Sequence, residues 1–280
     1  MDSQAQFRGP VRAVIFDWAG TTVDYGSRAP VAAFTEIFRH HGVEVTVEEA
    51  RRPMGAHKKE HIRQMLAMES VASRWRQVHG ADPAPHDVEI LYSGFVLLLT
   101  EVIVRHADPI PGTVETVRRL RERGIKIGST TGYTREMMAP LLGAAARDGY
   151  LPDSVVCADE VPAGRPAPWM ALRAAMELGV YPVSACVKVG DTVADIAEGL
   201  NAGMWSVGIT RTGNELGLSQ AEIDALPGAD LERKLAAASE RLVAAGAHYV
   251  IEGLAELPAA IDSINRRLSG VRYSATASLG

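Results

Sequence analysis

The sequence predicts an α/β protein, a doubly wound parallel (Rossmann-like) sheet with an all-helical cap inserted after its first strand. Three observations carry that prediction. Val11 to Phe16 (VRAVIF) is a short, β-branched apolar run that stops at Asp17, the pattern of a strand buried on both faces. A stretch of roughly eighty residues with helical periodicity and no alternating run comes next, far longer than an ordinary β-to-α connection. From Pro111 onward, strand-like and helix-like segments take strict turns, as right-handed crossovers of a parallel sheet require. The expected division is a core of residues 1–25 and 107–268, a cap of residues 26–106 and a disordered tail over 269–280.

Each element has its own local reason. Pro30 to His41 places apolar residues at 31, 34, 37 and 38 behind a proline suited to a first helical turn, and Gly42 ends the run. Helices are expected over 47–54, 57–68, 71–79 and 87–106, with a break at 82–85. In the core, helices over 114–123, 134–148, 168–178 and 192–202 alternate with strands over 125–130, 154–157, 185–189 and 205–209. Two closing helices, 231–245 and 254–268, flank a short strand at 248–251.

Composition excludes several functions. With 280 residues, 47% of them hydrophobic and 22% charged, the chain can bury a sizeable core. A net charge of −5 argues against nucleic acid as a partner, because nonspecific binding there needs a broad basic surface. Met1 to Pro10 has no apolar signal core, and the greasiest stretch, Phe95 to Val104, is broken by Thr100 and Glu101. Neither secretion nor a membrane partner is expected, and the cytoplasm is the expected location. Cys157 and Cys186 lack CxxC spacing and sit in apolar runs, so they read as reduced core residues.

The strand ends collect the chemistry. Asp17 follows the first strand, Thr130, Thr131 and Gly132 the second, and Asp191 with Asp195 the run KVGD, while Arg165 lies in the loop AGRPAP before a helix. Two aspartates on neighbouring strand ends suit a magnesium ion, and a hydroxyl, glycine amides and an arginine suit the oxygens of a phosphoryl group. Taken singly, each has a plainer reading. Asp17, Thr131 and Asp191 could each cap a helix, Asp195 could be a solvated helix residue and Arg165 could lie on the surface.

As a set, DWAGTTVD from Asp17, GSTTGY ending at Tyr133, Arg165 and GDTVAD from Gly190 resemble the four motifs of the haloacid dehalogenase superfamily, over about residues 10–265. That resemblance implies Asp17 as a nucleophile that becomes an aspartyl phosphate, magnesium held by Asp17, the Ala19 carbonyl and Asp191 with Asp195 in support, and a mobile cap. One departure decides the chemistry. Phosphatases and mutases of the superfamily carry a second Asp two residues after the nucleophile, as general acid for an oxygen leaving group; here that residue is Ala19. Loss of a carbon leaving group fits this change if an electron sink is present, and PMGAHKKEH (Pro53 to His61) offers one, because a lysine can hold an aldehyde as an imine.

This segment, VPAGRPAPWM and FDWAGTTVDYG resemble the phosphonatase branch of the superfamily. The branch resemblance implies hydrolysis of the carbon–phosphorus bond of the small-molecule substrate phosphonoacetaldehyde to acetaldehyde and phosphate, in phosphonate degradation, with Lys58 as Schiff-base lysine. It also implies Met54 and His61 in support of that lysine, Tyr133 near the substrate, Lys59 as a bystander and a homodimer formed through the cap. Members of the branch often carry Cys where this chain has Ser27, so no thiol role transfers.

Overall fold

The computed structural model describes residues 7–270, so most of the tail expected from Ser269 lies outside the described residues. Six parallel strands form one sheet: β1 (Ala13–Phe16), β2 (Lys126–Thr131), β3 (Ser154–Cys157), β4 (Cys186–Gly190), β5 (Trp205–Ile209) and β6 (Tyr249–Ile251), in the order β3-β2-β1-β4-β5-β6. β1 is central. Its four residues are fully buried because both faces are covered: Val14 and Phe16 join one apolar cluster, Ala13 and Ile15 the other. That two-sided cover is why the strand reads as an unbroken apolar run.

Five helices stand between β1 and the rest of the core: α1 (Arg28–His40), α2 (Val47–Arg51), α3 (Lys58–Ala67), α4 (Glu69–His79) and α5 (Pro85–Ile103). α1 and α5 pair along their apolar faces, with Phe34 stacked on Phe95 at 4.2 Å between ring centroids. The remaining helices are α6 (Thr113–Glu122), α7 (Arg135–Arg147), α8 (Trp169–Glu177), α9 (Val193–Asn201), α10 (Gln220–Ala225), α11 (Gly228–Ala244) and α12 (Leu257–Leu268).

The departures from expectation are local. The helix expected over 47–54 stops at Arg51, and the chain turns through Pro53 to a Gly55 with φ of 90°. The helices expected over 87–106 and 254–268 each finish or start with a 3-10 turn, Val104–His106 and Leu254–Glu256. α10 was not anticipated, although Ser219 and Glu222 form a reciprocal capping box at its start. Among the described residues, no helix is long and apolar enough to cross a membrane. Cys157 and Cys186 are free and buried, and burial pushes their thiols up to about 12 and about 11.

Candidate active site

The strand order reverses between β1 and β4, and the crevice outside such a reversal is where open parallel sheets bind ligands. Asp17 stands just past β1, its N–H donating to the Val189 carbonyl at 2.9 Å, and Asp191 just past β4. One carboxylate oxygen from each of Asp17, Asp191 and Asp195 lies within 4.8 Å of the others, all three residues buried. None of the plain capping readings describes these side chains. Thr134 caps α7, and Thr192 caps α9 with Asp195 as its reciprocal partner, accepting from the Thr192 hydroxyl at 2.5 Å.

The three carboxylates differ in what they face. Asp195 Oδ1 meets Lys188 Nζ at 2.7 Å and Arg165 Nη1 at 3.1 Å, so although burial pushes its pKa up, those cations hold it below the ordinary value. Asp191 Oδ1 accepts from the Thr21 hydroxyl (3.1 Å) and Oδ2 from the Asn214 N–H (2.7 Å), and among the described residues it makes no ion pair. Burial, with Asp17 and Asp195 beside it, pushes Asp191 well above its ordinary value. Burial raises Asp17 too, against the pull of Arg165. Asp191, buried beside Asp17 and with no ion pair among the described residues, suits a divalent cation with hard oxygen ligands. Ala19, whose carbonyl accepts no hydrogen bond among the described residues, lines a small cavity together with Asp17.

Arg165 is buried, not on the surface. Its Nη2 donates to Asp17 Oδ1 (2.6 Å) and to the carbonyl (3.0 Å) and hydroxyl (2.9 Å) of Thr130, while Nε donates to Glu198 Oε2 (2.8 Å). It lines the cavity, and the contact from Nη2 orients the Asp17 carboxylate. Lys188 and Glu198, absent from the sequence reading, complete this buried ionic network. A lysine inside the apolar run of β4, and a glutamate three residues beyond Asp195 on the same helical face, were the available signals.

The inserted helices deliver the amine. Lys58 opens α3 and lines the same cavity as Asp17, Ala19, Ser27, Met54, Thr131, Gly132, Tyr133 and Arg165. Its Nζ lies 3.8 Å from Met54 Sδ and 5.0 Å from the centre of the Tyr133 ring. Burial pushes Lys58 down to about 8, with the Asp17 and Asp191 carboxylates opposing and Arg165 assisting. Burial holds the Tyr133 phenol well above its usual range, so it stays protonated. Lys59 points away, paired with Glu89 at 2.5 Å on the surface.

Two glycines let this segment sit against the core. A Cβ on Gly55 would come within 2.5 Å of the Thr192 hydroxyl, and one on Gly132 within 2.8 Å of the Ala56 carbonyl. The space between segment and core is about 20 Å³, room for about one water. His61 is not among the lining residues. It is fully buried behind Lys58, its Nε2 against the Ala50 carbonyl at 2.8 Å and its ring stacked on Phe34 at 3.8 Å, so it braces α3 against α2 and does not reach the cavity.

A larger cavity of about 410 Å³, lined by Arg63, Leu66, Pro85 and Val88 among others, lies away from all of these groups. The aspartates at the sheet reversal, the buried guanidinium between them and the helices folded over both define a haloacid dehalogenase-like hydrolase, and residues 11–203 match that family. The chain belongs to it. More particularly, it is 53% identical over 264 residues (94% of this chain, 95% of the relative) to a phosphonoacetaldehyde hydrolase-like protein of Syntrophobacter fumaroxidans. It is 52% identical over 263 residues (94% of each) to a phosphonoacetaldehyde hydrolase of Nitratidesulfovibrio vulgaris. The crystal structure of a phosphonoacetaldehyde hydrolase like protein from Oleispira antarctica superposes with a TM-score of 0.95 at 45% identity, covering 97% of this chain and 99% of that one.

Proposed function

We propose that this chain hydrolyses the carbon–phosphorus bond of phosphonoacetaldehyde, through an imine on Lys58 and a phosphoryl group carried on Asp17. The observation that carries this reading is a buried amine, pushed down to about 8, in one cavity with Asp17, where Ala19 leaves no acid for an oxygen leaving group. The names of its relatives support it.

In this mechanism neutral Lys58 Nζ adds to the aldehyde carbon and water leaves, giving a protonated imine. An Asp17 oxygen then attacks phosphorus, the phosphorus–carbon bond breaks, and its electron pair moves into the imine to make an enamine. The enamine takes up a proton, water releases acetaldehyde from Lys58, and a second water frees phosphate from Asp17. Arg165 fixes the rotation of the Asp17 carboxylate. Thr131 and Gly132 are positioned at the cavity wall for phosphoryl oxygens, and the Tyr133 face and Met54 sulfur bound the amine. Asp17, Asp191 and the Ala19 carbonyl would hold a magnesium ion, with Asp195 in support, and the ion would supply positive charge for the phosphoryl oxygens. Phosphonoacetaldehyde should yield acetaldehyde and phosphate in equal amounts only with a divalent cation present; phosphate without acetaldehyde would contradict the reading.

Imine formation needs the uncharged amine, which fixes the sign of the pH dependence. With Lys58 at about 8, about one molecule in ten is neutral at pH 7, against about one in three thousand for an ordinary lysine. kcat/KM should therefore climb from pH 6 and level off above about pH 8; a flat profile across that range would contradict the assignment. Ala19→Asp should lower activity on the phosphonate by roughly tenfold or more, because a further carboxylate beside Asp17, Asp191 and Asp195 adds repulsion and has no alkoxide to protonate. Steady-state rates on phosphonoacetaldehyde and on a phosphate monoester test this, and a gain on the phosphonate would refute it.

A homodimer belongs to the same proposal. Ile90, Leu97 and Val104 are exposed at heptad spacing along α5 and its 3-10 extension, a stripe a second copy would cover.

A further inference from the structure

Arg51 ends α2, three residues before Met54 and seven before Lys58, yet its guanidinium is fastened to the core. Nη1 donates to the Gly26 carbonyl (2.8 Å) and to Asn214 Oδ1 (3.1 Å), and Nη2 donates to the Gly217 carbonyl (2.8 Å). Asn214 Nδ2 donates back to the Arg51 carbonyl at 3.4 Å. Gly26 lies where the chain leaves the core for the inserted helices, and residues 212–217 form the loop after β5. That loop also carries the Asn214 N–H, which donates to Asp191 Oδ2 at 2.7 Å. One side chain of the cap thus reaches the turn that leads out of the core and the loop that holds a metal-ligand candidate.

We infer that Arg51 is a positioning residue that couples the seating of the Lys58 segment to the cation affinity of Asp191, through Asn214. With the inserted helices seated, the guanidinium fork pins the loop and the Asn214 amide keeps Asp191 turned toward Asp17. When they lift, the loop loses these anchors and Asp191 loses a fixed donor. The coupling is reciprocal, so whatever factor seating adds to cation affinity the cation returns to seating, and the site closes most firmly when it is loaded. The planar fork is what makes this possible: Nη1 holds Gly26 and Asn214 while Nη2 holds Gly217, two positions that the single nitrogen of a lysine cannot occupy together.

The inference rests on the cation-binding part of the proposed function and on none of its carbon–phosphorus chemistry. Its test is therefore Mg2+ binding at equilibrium, read by calorimetry on the full chain without substrate. Arg51→Ala and Asn214→Ala should each weaken Mg2+ binding by about tenfold, the range for groups that orient a metal ligand. The double variant should be no weaker than the worse single one, since both remove the same link. Arg51→Lys should recover only part of the loss. If Arg51→Ala does not fold, Asn214→Ala alone decides, because it leaves the Gly26 and Gly217 contacts of Arg51 in place. Wild-type binding that is matched within twofold by both Arg51→Ala and Asn214→Ala would overturn the coupling alone. A wild type that binds no Mg2+ would overturn the cation site and the coupling together.

Discussion

Asp17→Asn is expected to lower phosphate release by four to six orders of magnitude, about the cost of deleting a nucleophile elsewhere, while leaving the fold intact. The amide is nearly isosteric, and its oxygen can still accept from Arg165 Nη2, the contact that orients residue 17. What it loses is nucleophilicity and negative charge. Because burial and the neighbouring aspartate already work against ionised carboxylates here, removing one charge from the pair should hold or slightly raise the melting temperature. Phosphate release together with thermal unfolding separates the two effects. Turnover within tenfold of wild type would exclude phosphoryl transfer to Asp17.

Lys58→Arg should abolish carbon–phosphorus cleavage, by at least about a thousandfold, whereas Lys59→Arg should stay within about threefold of wild type. The neighbours look interchangeable in the sequence and are opposites in the structure. Lys58 is buried beside Met54, Phe34 and Tyr133, where an amine loses its proton readily; Lys59 sits at the surface on Glu89. A guanidinium keeps its proton in either place and cannot form an imine. Acetaldehyde release by the two variants, compared with wild type, is the measurement. Equal losses at both positions would mean that the amine is not the reacting group.

What could be read from the sequence was whatever a short stretch encodes by itself. The β1 run ending at Asp17, the KVGD run ending at Asp191 and the long helical insertion each announce themselves within a dozen residues or by sheer length. So does Thr131–Gly132 at the end of β2; the structure brings Asp17, Thr131 and Gly132 to one cavity with Lys58 and Arg165, and sets Asp191 beside Asp17. Properties that depend on distant partners were not legible. Arg165 reads from its motif as a partner for phosphoryl oxygens; that its fork also meets Asp17, Asp195, Glu198 and Thr130, from three different elements, depends on residues far away in the chain. Lys188 passed as one charge in an apolar strand because its partners lie on the following helix. The family resemblance offers His61 as a support for Lys58; that its ring stacks on Phe34 and lies outside the cavity lining depends on packing that a motif does not encode. α10 was lost inside a polar segment, although its Ser219–Glu222 cap was there to be read.

The central claim is an imine on Lys58, and borohydride reduction during turnover tests it most directly. Digestion and mass spectrometry of protein reduced in the presence of phosphonoacetaldehyde should find an ethyl or phosphonoethyl group on Lys58, none on Lys59, and loss of activity in step with the modification. Lys58 recovered unmodified from enzyme that is turning over the same substrate under the same reductant would contradict the account.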